Sequence, residues 1–216
     1  MIQKIVSFFF LCTLLFQSAK AQTPPDSKII NKEYSSLEEA LKKPEDVFRL
    51  NLSNQNIELS DSILSKFSNL QYLSLKNDHL KSLPDGIGGL KNLKVLDLSG
   101  NDFRLLPNTF VGLLNLQELY LNEDKYFQLD KNIPVLSKLR NLKSLHIEND
   151  GLEKLPENIY LLDKLESLYL NKNQFKTIPE EIKGLKNLKY LDLHDNKFKL
   201  RNNHNQQQGF GTKIRF

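Results

Sequence analysis

The side chains in this sequence best suited to catalysis or metal binding are four histidines, His79, His146, His194 and His204, and one cysteine, Cys12. None is arranged for that chemistry. A zinc site needs histidines or thiolates at short recurring spacings, and no histidine here has a second ligand at such a spacing. Cys12 lies inside an apolar run near the amino terminus. The sequence patterns of a nucleophile elbow, a phosphate loop and a dinucleotide site are all missing. Gly86, Gly88 and Gly89, in PDGIGGL, stand where later stretches read ENIYLL or EEIKGL, which assigns them to a turn and not to a phosphate cradle. The expectation is a protein that is not an enzyme, with no metal and no cofactor.

Recognition asks for aromatic area with polar tips. Seven residues offer it: Tyr72, Glu118, Tyr120, His146, Glu148, Tyr169 and Tyr190. What would bring them together is a repeated segment, clearest in residues 93–106, LKVLDLSGNDFRLL, followed by Pro107. Copies begin at Val47, Leu70, Leu93, Leu116, Leu142, Leu165 and Leu188, with steps of 23, 23, 23, 26, 23 and 23 residues. Within a copy, Leu96 and Leu98 are two apart among Val95, Asp97 and Ser99, so a strand would send the leucines to one side and the others opposite. One such strand cannot bury its own leucines, whereas seven stacked in the same direction fuse them into one core under a parallel sheet.

In that sheet Asn51, Ser74, Asp97, Tyr120, His146, Tyr169 and Asp192 share a central row. With strands about 4.8 Å apart, Tyr120, His146 and Tyr169 form an aromatic ladder roughly 10 Å long. Glu118, Glu123 and Glu148 lie beside it, and Tyr72 and Tyr190 fall in the adjacent row. The competing reading is that aromatic residues simply suit strands and cover one another.

The rest of the repeat supplies a turn and a return path. Position nine reads Gln55, Asp78, Asn101, Asp124, Asp150, Asn173 and Asn196. An amide both donates and accepts and can bridge neighbouring repeats, while an ionised aspartate only accepts, so the three aspartates predict partly solvated or adjusted turns. Pro84, Pro107, Pro156 and Pro179 fix φ where the chain leaves the strand side, and IGGL, FVGL, IYLL and IKGL point back at the core.

A period of 20 to 29 residues containing LxxLxLxxNxL resembles the leucine-rich repeat family. The resemblance implies an α/β solenoid, a horseshoe with a parallel β-sheet on its concave face and short helical, 3-10 or irregular segments on its convex face. It also implies that the concave sheet is a recognition surface. The 23-residue LxxLxLxxNxLxxLP repeat is similar to bacterial and plant intracellular types. Many extracellular eukaryotic members carry disulfide-bonded caps, for which this chain lacks the cysteines. Some secreted bacterial members carry a ubiquitin-ligase domain with a cysteine nucleophile, for which it has neither cysteine nor room.

Residues 1–21 stand outside the repeat: Lys4, an apolar run from Ile5 to Phe16, and Ala19-Lys20-Ala21 have the form of a cleavable export signal, cut after Ala21. The run is too short to span a bilayer. Residues 22–35 read as a flexible leader and 36–46 as a cap helix, with Ser36 and Glu39 as its capping box. The repeats occupy 47–200, and 201–216 form a polar basic tail that either adds a strand or is partly disordered. Removing Lys4 and Lys20 leaves 28 basic against 26 acidic residues, and residues 22–195 hold 23 basic against 26 acidic. A nucleic-acid partner would call for a basic working face and is not expected. The resulting expectation is an exported bacterial protein of the periplasm or cell surface, binding a protein partner through its concave face, with no membrane span in the mature chain. The alternative is a structural or adhesive envelope component whose basic tail touches anionic surface polymers.

Overall fold

Alternating leucines produce a run of three-residue strands. The computed structural model describes residues 30–198 and 211–216, and within them the strands are β1 Glu33–Tyr34, β2 Arg49–Asn51, β3 Tyr72–Ser74, β4 Val95–Asp97, β5 Glu118–Tyr120, β6 Ser144–His146, β7 Ser167–Tyr169, β8 Tyr190–Asp192 and β9 Lys213–Arg215. All pair in parallel, in chain order, as one open sheet. Leu50, Leu73, Leu96, Leu119, Leu145, Leu168 and Leu191 lie opposite one another along the register. Each is at most 1 % exposed. This single row sets every other row of the sheet.

The sheet is longer at both ends than the seven expected strands. Glu33 and Tyr34, placed by the sequence in a flexible leader, pair with Arg49 and Leu50. They carry no repeat signature because two residues suffice to occupy the backbone groups of the first edge. At the other end Ile214 continues the leucine row against Leu191 and is 7 % exposed. The signal segment, residues 22–29 of the leader, residues 199–200 at the end of the repeats and residues 201–210 of the tail lie outside the described residues. The expected cap helix is shorter than its pattern: α1 Leu37–Ala40, with the Ser36 hydroxyl accepting from the Glu39 N–H, gives way to a 3-10 turn at Pro44–Asp46.

On the return side, 3-10 helices at Asp85–Gly89, Asn108–Gly112, Glu157–Leu161 and Glu180–Gly184 each follow a proline at the cap position. Proline presets the extended φ from which the turn begins. The glycines expected in a turn are there: a Cβ on Gly88 would lie 2.0 Å from the carbonyl oxygen of Thr109 in the next repeat. The first repeat, with Ser60 and Asp61 where later repeats have leucine or isoleucine and proline, makes α2 Asp61–Leu64, capped by Ser60. The three extra residues of the fourth repeat are absorbed by α3 Leu129–Leu136. Inside α3, Pro134 has no N–H for the Asp130 carbonyl, and Asn158 of the next repeat donates to that oxygen at 2.9 Å. Among the described residues, no helix is long and apolar enough to cross a membrane.

Two side-chain ladders tie the repeats together. At position nine, Asn101 accepts from the N–H groups of Asp78 and Leu80 and donates to the carbonyls of Leu75 and Leu98; Asn173 repeats the arrangement. Of the two alternatives, Asp78 and Asp124 exclude the solvated turn, being only 4 % and 2 % exposed, while Asp150 is half-buried. Their Oδ1 atoms, like that of Asp150, accept backbone N–H groups, while all three Oδ2 atoms are buried without a hydrogen bond among the described residues. The second ladder was not read from the sequence. Asn69, Asn92, Asn115, Asn141 and Asn187, each just before a repeat's first leucine, donate to a carbonyl of the repeat before. The residue preceding Leu165 is Lys164, which breaks that series.

Candidate functional site

Parallel register alone places Tyr120, His146 and Tyr169 side by side, on neighbouring strands β5, β6 and β7. Their rings stack face to face, with centroids 3.9 Å apart at 18° and 4.0 Å apart at 4°. Tyr190 from β8 leans on Tyr169 at 5.5 Å and 53°. His146 is sealed in the middle, 7 % exposed.

Carboxylates flank the stack. Nε2 of His146 lies 2.9 Å from Glu118 and Nδ1 lies 3.1 Å from Glu148. A neutral imidazole can donate from one nitrogen only; the imidazolium donates from both. The Tyr120 hydroxyl donates to the same Glu118 oxygen at 2.8 Å, and the Asn171 amide donates to Glu148 at 3.0 Å. Burial and then the bond to Glu118 push the Tyr120 hydroxyl's pKa well up, so it stays a neutral donor. The hydrogen bond from His146, opposed by burial and aided by Asn171, holds the Glu148 carboxyl below its usual range.

Six of the seven residues expected to form the surface therefore meet. Tyr72 does not join them: it lies two strands from Tyr120, with the Arg49 guanidinium over its ring at 4.2 Å. Glu123, expected beside the ladder, does not line the trough with the other carboxylates and has a left-handed backbone, with φ 62°. The equivalent residue of every repeat, including Asn77, Gly100 and Lys172, has the same hand where the chain leaves the strand. The structure adds Asp192, 3 % exposed, which receives Tyr190 at 3.1 Å, His194 at 2.6 Å and Arg215 at 3.4 Å. The central row already contained Asp192, but its partner Arg215 belongs to a strand without repeat signature. Together with Lys76, Asp97, Ser99 and Asn122 these residues line an open trough of about 550 Å³. Among the described residues no cluster of three or more histidine, cysteine, aspartate or glutamate side chains is placed to hold a metal.

A family profile described as leucine-rich repeat region matches residues 46–134, and a second, leucine rich repeat, matches residues 140–198. The chain is a leucine-rich repeat protein. No curated protein matches it significantly. Among solved structures, this leucine-rich repeat protein is similar to the Leptospira interrogans LRR protein LIC12759, at 34 % identity and a TM-score of 0.60, over 78 % of this chain and 48 % of that one. It is also similar to TLR13 in its ssRNA13 complex, at 27 % identity and a TM-score of 0.64, over 85 % of this chain and 26 % of that one. Toll in the Drosophila Toll–Spatzle complex shares the fold, at 19 % identity and a TM-score of 0.64, over 75 % of this chain and 22 % of that one. The chain thus spans about half the length of the Leptospira protein and less of the others.

Proposed function

We propose that this leucine-rich repeat protein is a non-catalytic recognition module that binds a protein partner on its concave sheet, centred on the Tyr120–His146–Tyr169 stack. The observation that carries the reading is the pre-organisation of that stack. Three rings are held at stacking distance by backbone register and two carboxylates, so little side-chain freedom is left to lose on binding. Bacterial export to the periplasm or cell surface, from the signal-like residues 1–21, is part of the same proposal. An RNA partner, as in the TLR13 complex, is disfavoured by Asp97, Glu118 and Glu148 in the trough, which would repel phosphates. Tethering through the basic tail has less support, since Arg215 is turned onto Asp192 at 3.4 Å.

Affinity capture from source cells, with the wild type and the Tyr120→Ala/Tyr169→Ala variant in parallel, tests the proposal. A protein recovered by the wild type and lost by the folded variant is the expected result. Equal recovery by both removes the concave face from the account.

A further inference from the structure

The proposal rests on the concave face being the binding surface and names what that surface takes. Around Glu118 and Glu148 the donors of Tyr120, His146 and Asn171 are already spent inward. Tyr120 and His146 Nε2 both engage Oε1 of Glu118, and His146 Nδ1 and Asn171 occupy the two oxygens of Glu148. What the face turns outward is lone pairs. An ionised carboxylate accepts about four hydrogen bonds, yet Oε2 of Glu118 takes none among the described residues. The side chains of Glu118 and Glu148 remain 33 % and 26 % exposed. Asp192 is saturated and buried and plays no part. Asp97, opposite Tyr120 in the register, brings a third carboxylate to the centre.

A group that offers donors only, carries positive charge and spreads its donors in one plane, so that it can address the carboxylates flanking the two nitrogens of the His146 ring, is a guanidinium. We propose that the partner of this face is a protein segment that seats an arginine side chain against Glu118 and Glu148, above the Tyr120–His146–Tyr169 stack. The rims of the sheet limit the segment. Lys76, just after β3, lines the trough on one side and Lys213 of β9 stands opposite Tyr190 on the other, so a run of basic residues is repelled and a lone arginine between neutral or acidic neighbours fits.

The full chain is tested against an array of short synthetic peptides with randomised flanks and a central arginine, lysine, citrulline or glutamate. Arginine-centred members should bind and should weaken by about tenfold or more when arginine becomes citrulline. Their binding should fall in about 0.5 M salt. The near-isosteric Glu118→Gln/Glu148→Gln variant, folded by circular dichroism, should lose the arginine preference. The citrulline exchange asks the same question on the ligand, so the answer does not depend on that variant folding. Peptides that bind equally well with citrulline, and are lost with Tyr120→Ala/Tyr169→Ala, overturn the arginine and leave the face standing. Arginine peptides retained by that folded variant overturn the reading of the face. An array without binders overturns the arginine proposal.

Discussion

The backbone N–H of Asp124 donates to Oδ1 of Asp150 at 2.7 Å, while Oδ2 of both aspartates is buried with no hydrogen bond among the described residues. An asparagine at the same position uses that second atom to donate to two carbonyls, as Asn101 does. A protonated carboxyl can imitate it; an ionised one cannot.

Burial accordingly pushes the Asp124 carboxyl up to about 8 and that of Asp150 up to about 7. In the unfolded chain both ionise near 3.8. The folded state therefore binds more protons between those values, and stability is full at the acid end and declines as pH rises toward 8. The decline should reach the order of a few kcal/mol. Urea denaturation at pH 5 and pH 8 checks it; equal stability at the two would contradict the buried neutral acids.

Asp124→Asn should abolish most of that slope and raise stability at pH 8, because the amide supplies the missing donor permanently. A gain of about 1–3 kcal/mol at pH 8, shrinking at pH 5, is expected from satisfying a buried group. Loss of stability at pH 8 would refute the assignment.

At the acid end the trough acts with the opposite sign. Glu148, bonded by His146, and Asp192, where burial is outweighed by the bonds from His194, are both held below their usual values. Their contribution is present above the unfolded pKa and disappears as pH falls through the folded one. Stability should therefore peak at about pH 4 to 5, between the two families of carboxyls. His146→Leu should remove the imidazole's part of the Glu148 shift and cost about 1–3 kcal/mol at neutral pH, since among the described residues Glu118 keeps only Tyr120 and Glu148 only Asn171 as side-chain donors, a figure that equilibrium denaturation reads directly.

Gly88→Ala should destabilise by more than about 2 kcal/mol, since its Cβ would meet the Thr109 carbonyl and backbone must move. Gly89→Ala, with nothing within 4 Å of the added carbon, is the control. It should be close to neutral, and thermal melts of the pair test the close stacking of the return turns.

Asn158→Ala should cost about 1 kcal/mol by stripping the Asp130 carbonyl of its donor. In a Pro134→Ala background the helix regains an N–H for that oxygen, so the same change should cost less. Additive effects in this double-mutant cycle would show that Asn158 acts elsewhere.

The sequence by itself determined the repeat, the parallel register and the central row that brings Tyr120, His146 and Tyr169 together. A period of two along each strand and of 23 between most strands leaves no other way to bury the leucines. Only the tertiary structure decided how that row is used. The clamp of Glu118 and Glu148 on His146, the separation of Tyr72 and the saturation of Asp192 by Arg215 join residues as many as 28 positions apart. The end strands carry too few apolar residues to announce themselves, because an edge needs backbone partners more than side chains. At position nine Asp78 and Asp124 are buried instead of solvated, because solvation there depends on the repeats stacked on either side, and no single repeat encodes that.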